Sequence, residues 1–189
     1  SRFIMMNLED SQSVTEPTSL QFSDKWILAK CNSLIKEVTD NLDKYELGIA
    51  LSKVYDFIWE EFCDWYIEMV KPRLWNKEDP TRDSALWTLI TVLNKSLKLL
   101  HPFMPFITEE IYKNLNDDAS IMISDWPVYE DKYDFEEFRA VENVKEAIRA
   151  VRNLRTSMNV PPSKKASLHI VLNDDSFDSG FRNCSDFLK

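Results

Sequence analysis

The chain has 189 residues with a formal net charge of −9 and only two glycines, Gly48 and Gly180. Two distant glycines cannot build a Gly-rich phosphate loop or a dinucleotide fingerprint, and tight hairpins that need positive φ should be scarce. No apolar run approaches the roughly 18 residues of a membrane span, no signal peptide is visible, and three scattered cysteines fit a reduced, cytoplasmic setting.

Residues 1–22 read as the end of a connecting segment and a polar linker. Ser23 is expected to cap a first helix, with Asp24 in its first turn. Ile27, Cys31, Leu34, Val38 and Leu42 carry that helix to about Asn41. The stretch Tyr45–Trp75 places Lys53, Asp56, Glu60, Asp64, Glu68 and Lys71 on one narrow polar stripe, with apolar and aromatic residues almost everywhere else. Such a helix is expected to be covered on several sides and to form the central strut of a bundle. Pro72 should end it or bend its last turn. Asp79 as N-cap and Pro80 as first helical residue announce a third helix, whose apolar face runs from Leu86 to Leu100. Pro102 and Pro105 fit only near a helix start, and a fourth helix then runs to about Asn116.

The segment around Trp126-Pro127 reads as an ordered crossover that could plug the end of the bundle. Asp134 and Glu137 resemble a capping box. A fifth helix follows to about Met158, with Phe138, Val141, Val144, Ile148, Val151, Leu154 and Met158 as its apolar seam. The alternation over Ala166–Leu172 is a strand signal. The expected fold is mainly α: an antiparallel four-helix bundle over residues 23–130. A long basic helix plus strand should occupy residues 131–189, with a small α/β appendage beginning near residue 160.

Two histidines without a second ligand at helical spacing give no metal site to expect. Cys63 reads as a small core residue. Glu60-Glu61 and Glu109-Glu110 read as a solvated face and a match to a helix dipole. The fifth helix is the best site candidate. The segment from Lys145 to Lys165 carries +5, which leaves −14 on the rest. Lys145, Arg149 and Arg152 share a face, Asn153 and Arg155 lie beside it, and Asn159, Lys164 and Lys165 follow. Guanidinium groups pair with phosphates, and Asn can read a base edge. A solvated face complementing an acidic body, or a scaffold helix meeting an acidic protein partner, would show the same pattern.

Four segments resemble the C-terminal part of valyl-tRNA synthetases, which are class I aminoacyl-tRNA synthetases: WEEFCDWYIE (Trp59–Glu68), LLHPFMPFITEEIY (Leu99–Tyr112), SIMISDWP (Ser120–Pro127) and IRAVRNLRTSMNVPPSKKA (Ile148–Ala166). The HPFMPF-TEE pattern extends to the isoleucine and leucine enzymes, whereas NVPPSKK is similar to the valine enzymes. The resemblance implies a helical anticodon-binding domain that meets the anticodon stem-loop of tRNA(Val) and the catalytic domain of the same chain. The parent ligase would use ATP and Mg2+. This stretch holds no His-x-Gly-His and no Lys-Met-Ser-Lys-Ser segment, so it is expected to be non-catalytic, cofactor-free and monomeric. The expected RNA contacts are Lys145, Arg149, Arg152, Arg155, Lys164 and Lys165 to phosphates, with Asn153 and Asn159 to bases or backbone. HPFMPF is expected to shape the bundle.

Overall fold

The computed structural model describes residues 1–8, 15–116, 119–135 and 138–161, together with 164, 167, 169 and 171. Its helices are α1 (Arg2–Leu8), α2 (Phe22–Asp43), α3 (Leu47–Asp56), a π-helical segment (Phe57–Ile67), α4 (Glu68–Trp75), α5 (Arg82–Leu100), α6 (Pro105–Leu115) and α7 (Phe138–Ser157). Two single 3-10 turns, Ile121–Ile123 and Asp131–Tyr133, punctuate the crossover. No strand occurs among the described residues. The strand expected over Ala166–Leu172 falls largely outside them, as does Glu137 of the expected capping box. The chain divides into two compact units, residues 1–135 and 136–189.

The first unit is a bundle whose centre is the pair α2 and α5. Helix α2 packs on α3, on the π segment and on α5, while α5 also meets α1, α4 and α6. The amino-terminal half of α2 is covered nearly all round, because Trp26, Ile27, Leu28, Ala29, Cys31, Leu34 and Ile35 are all buried. From α5, Ala85, Leu86, Leu89, Val92, Leu93, Leu97 and Leu99 are buried in turn. Each large side chain removed from water here contributes about 1.5–3 kcal/mol. Thr88 and Ser96 lie inside this face without unpaired hydroxyls, since each donates to the carbonyl one turn back at 2.8 and 2.7 Å.

The α3–π–α4 rod is not the central strut its composition suggests. It buries Ala50, Val54, Phe57, Phe62, Tyr66, Met69, Val70 and Leu74, which is one face, and leaves Leu47, Leu51, Tyr55 and Trp59 exposed. A broad apolar circumference sets what a helix could bury; only the neighbours available, α2 and α5, decide what it does bury. The step of five from Phe57 to Phe62 follows from the π segment, whose wider turn adds about one residue per turn and keeps both rings inward. Pro72 lies in the last turn of the rod, which runs on to Trp75.

Several helix starts also differ from the sequence reading. Helix α2 begins two residues earlier than expected, and its cap is Gln21, whose N–H donates to the Asp24 carboxylate at 3.1 Å. Ser23 and Asp24 are buried, because they serve the interior of the bundle. Helix α5 begins at Arg82, two residues beyond Pro80. The cap position is taken by Thr81, and Asp79 instead accepts the Thr81 N–H at 2.8 Å in the turn before the helix. Pro105 occupies the first turn of α6.

The crossover is bound to the bundle by side chains that copy backbone pairing. The Asn32 amide donates to the Glu130 carbonyl at 2.9 Å and accepts the Glu130 N–H at 2.9 Å. Lys95 pairs with Glu130 at 2.7 Å and lies 4.6 Å from the centre of the buried Tyr133 ring. The Trp126 indole donates to Thr39 at 3.0 Å and Pro127 is buried beside it, which fixes the segment near the end of α2.

In the second unit α7 buries Val141, Val144 and Ile148, whereas Leu154 and Met158 of the same seam are exposed. The carboxyl-terminal half of this helix therefore presents both its basic residues and its apolar ones to solvent.

Candidate nucleic-acid interface

Helix α7 ends in a turn whose geometry follows from its residues. Asn159 has φ of 52°, the left-handed conformation that Asn tolerates better than most residues. Its N–H donates to the Thr156 carbonyl at 3.1 Å, and the Val160 N–H donates to the Arg155 carbonyl at 2.9 Å. These two bonds are a Schellman closure, with Asn in the place glycine usually takes. Pro161 then stops the helix from resuming.

This closure brings Arg152, Arg155, Thr156, Asn159, Val160 and Pro161 around one open cavity of about 590 Å³. Arg149, Arg152 and Thr156 succeed one another at helical spacings of three and four, so Arg149 shares their face of α7 although it does not line the cavity. Thr156 donates to the Arg152 carbonyl at 2.9 Å. The Arg155 guanidinium donates to the Pro161 carbonyl at 2.9 Å and the Lys164 carbonyl at 2.6 Å, tying the following turn back to the helix.

The structure thus brings together Arg152, Arg155 and Asn159 of the residues expected from sequence. Arg149 and Asn153 are exposed on α7, Asn153 outside the cavity lining, and Lys164 is exposed past the turn. Lys165 lies outside the described residues. Lys145 departs from expectation: its side chain is 1% exposed and lies 3.5 Å from Glu142. It shares the angular position of Arg149 and Arg152, but it sits where Val141, Val144 and Ile148 are buried, and helical spacing cannot tell which length of a stripe is covered. Thr156 was missed, although its position four residues after Arg152 is a usable signal.

A second surface, in the bundle, was read as core. Tyr55 and Trp59 are 60% and 58% exposed, and their rings stack at 6.4 Å with planes 17° apart. Asp56 and Glu60 stand exposed beside them. Such a pair offers flat apolar faces to another π system, while the carboxylates disfavour phosphate at that spot. HPFMPF also differs from expectation. Phe106 is 91% exposed and Met104 is exposed, so only part of the motif shapes the interior. His101 does so, contacting the buried Thr108 at 2.7 Å.

No group of three His, Cys, Asp or Glu side chains that could hold a metal occurs among the described residues. Nor is any helix among them long and apolar enough to cross a membrane. Burial pushes the Cys31 thiol up to about 12, only partly opposed by Lys95, so it is not a nucleophile.

A helical bundle followed by a basic helix with an exposed, donor-rich end defines a class of RNA-facing module. The chain belongs to the family of anticodon-binding domains of tRNA ligases, which it matches over residues 24–171. It is 49% identical to the valine–tRNA ligase of Clostridium acetobutylicum over 189 residues, covering 95% of this chain and 21% of that protein. It is 50% identical to the valine–tRNA ligase of Clostridium perfringens over 185 residues, with the same coverage. With the corresponding enzyme of Carboxydothermus hydrogenoformans it shares 46% identity over 180 residues, or 93% of this chain and 20% of the relative. The chain spans about a fifth of the length of the curated relatives it matches.

Proposed function

We propose that this chain is the anticodon-loop-binding part of a valine–tRNA ligase acting in the cytoplasm. In this reading it takes the anticodon stem-loop of tRNA(Val), while ATP, Mg2+ and the joining of valine to tRNA belong to other parts of the parent enzyme. The observation that carries the reading is the cavity at the end of α7, where Arg152 and Asn159 meet beside Arg149. Arg149, Arg152 and Lys164 supply cations for phosphates, and Asn153 and Asn159 supply amides for base edges or sugar. Tyr55 and Trp59 supply a stacking surface for an unpaired base, which needs no positive charge around it.

Titration of the 189-residue chain with a valine tRNA transcript, beside one with its anticodon exchanged, tests this at two salt concentrations. Binding should favour the valine anticodon. With three phosphate contacts, affinity should fall roughly twenty- to fortyfold between 50 and 200 mM salt. Reversing Arg149 and Arg152 to Glu should weaken binding at least about tenfold and leave helicity unchanged. Unchanged affinity in that variant, or equal binding to both transcripts, would remove the reading and leave a helical scaffold that meets protein.

A further inference from the structure

We propose that Arg155 is a positioning residue for RNA binding, acting through the turn that carries Lys164, and does not itself pair with phosphate. The proposal rests on the RNA-binding reading of the cavity at the end of α7.

Charge and sequence position alone make Arg155 equivalent to Arg149 and Arg152. Its bonds to the following turn give it a role that charge does not reveal. Its main-chain carbonyl accepts the Val160 N–H that closes α7, at 2.9 Å. Its Nη2 reaches forward to the carbonyls of Pro161 and Lys164 at 2.9 and 2.6 Å. The Lys164 N–H in turn donates to the Pro161 carbonyl at 3.1 Å, so both acceptors belong to one turn. Arg155 therefore holds the helix end with its backbone and the next turn with its side chain. It is also less exposed than Arg149 or Arg152, as a group enclosed by its own chain should be.

Both carbonyls are neutral acceptors, so the positive charge of Arg155 is not what they select. Both bonds come from Nη2, which stands one bond further from the backbone than a lysine Nζ would, so an ammonium at this position falls short of the two carbonyls. The consequence for binding is geometric. Arg152, Thr156 and Asn159 line the cavity from the helix side, and Pro161 lines it from the turn side. Without the Arg155 bridge the turn loses these two side-chain bonds to α7, Lys164 is held less firmly relative to the helix, and the cations meet the phosphates at a larger ordering cost.

Arg155→Lys separates a charge role from a positioning role, because it keeps the charge and loses the reach of Nη2. Hydrogen exchange of the free chain should be about tenfold faster at the Lys164 amide in this variant. Affinity for the valine tRNA transcript should fall about fivefold to tenfold with circular dichroism unchanged, and the salt dependence should stay as steep as in the parent chain. In a Lys164→Ala background the same change should cost less than twofold, since Arg155 then has no cation to place. Parent-like affinity in Arg155→Lys would overturn the proposal, as would unchanged exchange at Lys164. If Arg149→Glu with Arg152→Glu binds normally, the RNA reading itself has failed and takes this proposal with it. Faster exchange with full affinity overturns the positioning role alone.

Discussion

Asp24 is the residue on which the interior of the bundle turns. It is fully buried, and donors converge on it from three helical segments. Tyr66 donates at 2.8 Å, and Arg73 donates through both terminal nitrogens at 2.8 and 3.0 Å. Arg73 also bonds the Thr81 carbonyl at 2.6 Å and Ser84 at 2.8 Å, so one charge pair joins α2, the π segment, α4 and α5. Burial alone would lower the Arg73 pKa; hydrogen bonding to Asp24 and its charge more than reverse this and hold the guanidinium charged. Burial and the nearby Asp24 carboxylate push the Tyr66 hydroxyl well above its usual range, so it stays a donor. Removing one partner of such a pair leaves a buried charge unmatched. Arg73→Ala should therefore cost about 3–5 kcal/mol in urea unfolding, whereas Tyr66→Phe, which keeps the ion pair, should cost about 1–2 kcal/mol. Equal losses in the two variants would show that the ion pair is not the dominant contact. In sequence Asp24 looks like a favourable charge in a first turn, and nothing local reveals that Arg73 will lie against it.

At the scale of elements, the α3–π–α4 rod and α7 show opposite kinds of legibility. The rod was evident as a helix from its spacing, but its π segment and bare Tyr55–Trp59 face were not. A 3.6-residue template has no place for the five-residue step from Phe57 to Phe62. Gly48 is a local weakness: it lies in the first turn of α3, and a Cβ there would meet nothing within 4 Å. Gly48→Ala should raise stability by about 0.4–1 kcal/mol, read as a higher denaturation midpoint. A lower midpoint would mean that the rod's start needs glycine for a reason other than space. In α7 the reverse holds. The basic half was legible because charge needs no partner to be counted, and the Val-Pro-Pro-Ser run after it marks the stop. The Schellman closure and the Arg155 bridge depend on backbone directions past the helix end, which residue types alone do not convey.

Across the whole molecule, the acidic excess bears on stability as well as on partners. Bonding to Thr81 holds the Asp79 carboxyl below its usual range against a smaller opposing effect of burial. Burial raises the Glu130 carboxyl, but the hydrogen bonds from Lys95 and Lys132 more than reverse it. A carboxyl lowered in the folded chain contributes stability above its unfolded pKa and loses it as pH falls through the folded one. Stability should thus hold above about pH 4.5 and decline below it. Replacing Lys95 by Met should flatten the part of that decline owed to Glu130, measured as urea midpoint against pH. An unchanged pH profile would place the acid sensitivity elsewhere.

What the sequence by itself determined is what depends on local order. The helical class, the break before Pro105 and the stop at Pro161, the likeness to anticodon-binding domains and the single basic stretch in an acidic chain are all properties of neighbouring residues. Tertiary structure decided what depends on which surfaces meet. It made α2 and α5 the central pair, left Tyr55 and Trp59 exposed, buried Lys145 and turned Arg155 back on its own chain. Burial and side-chain pairing are set by segments far apart in sequence, and an apolar or charged stripe records only what a residue is able to do.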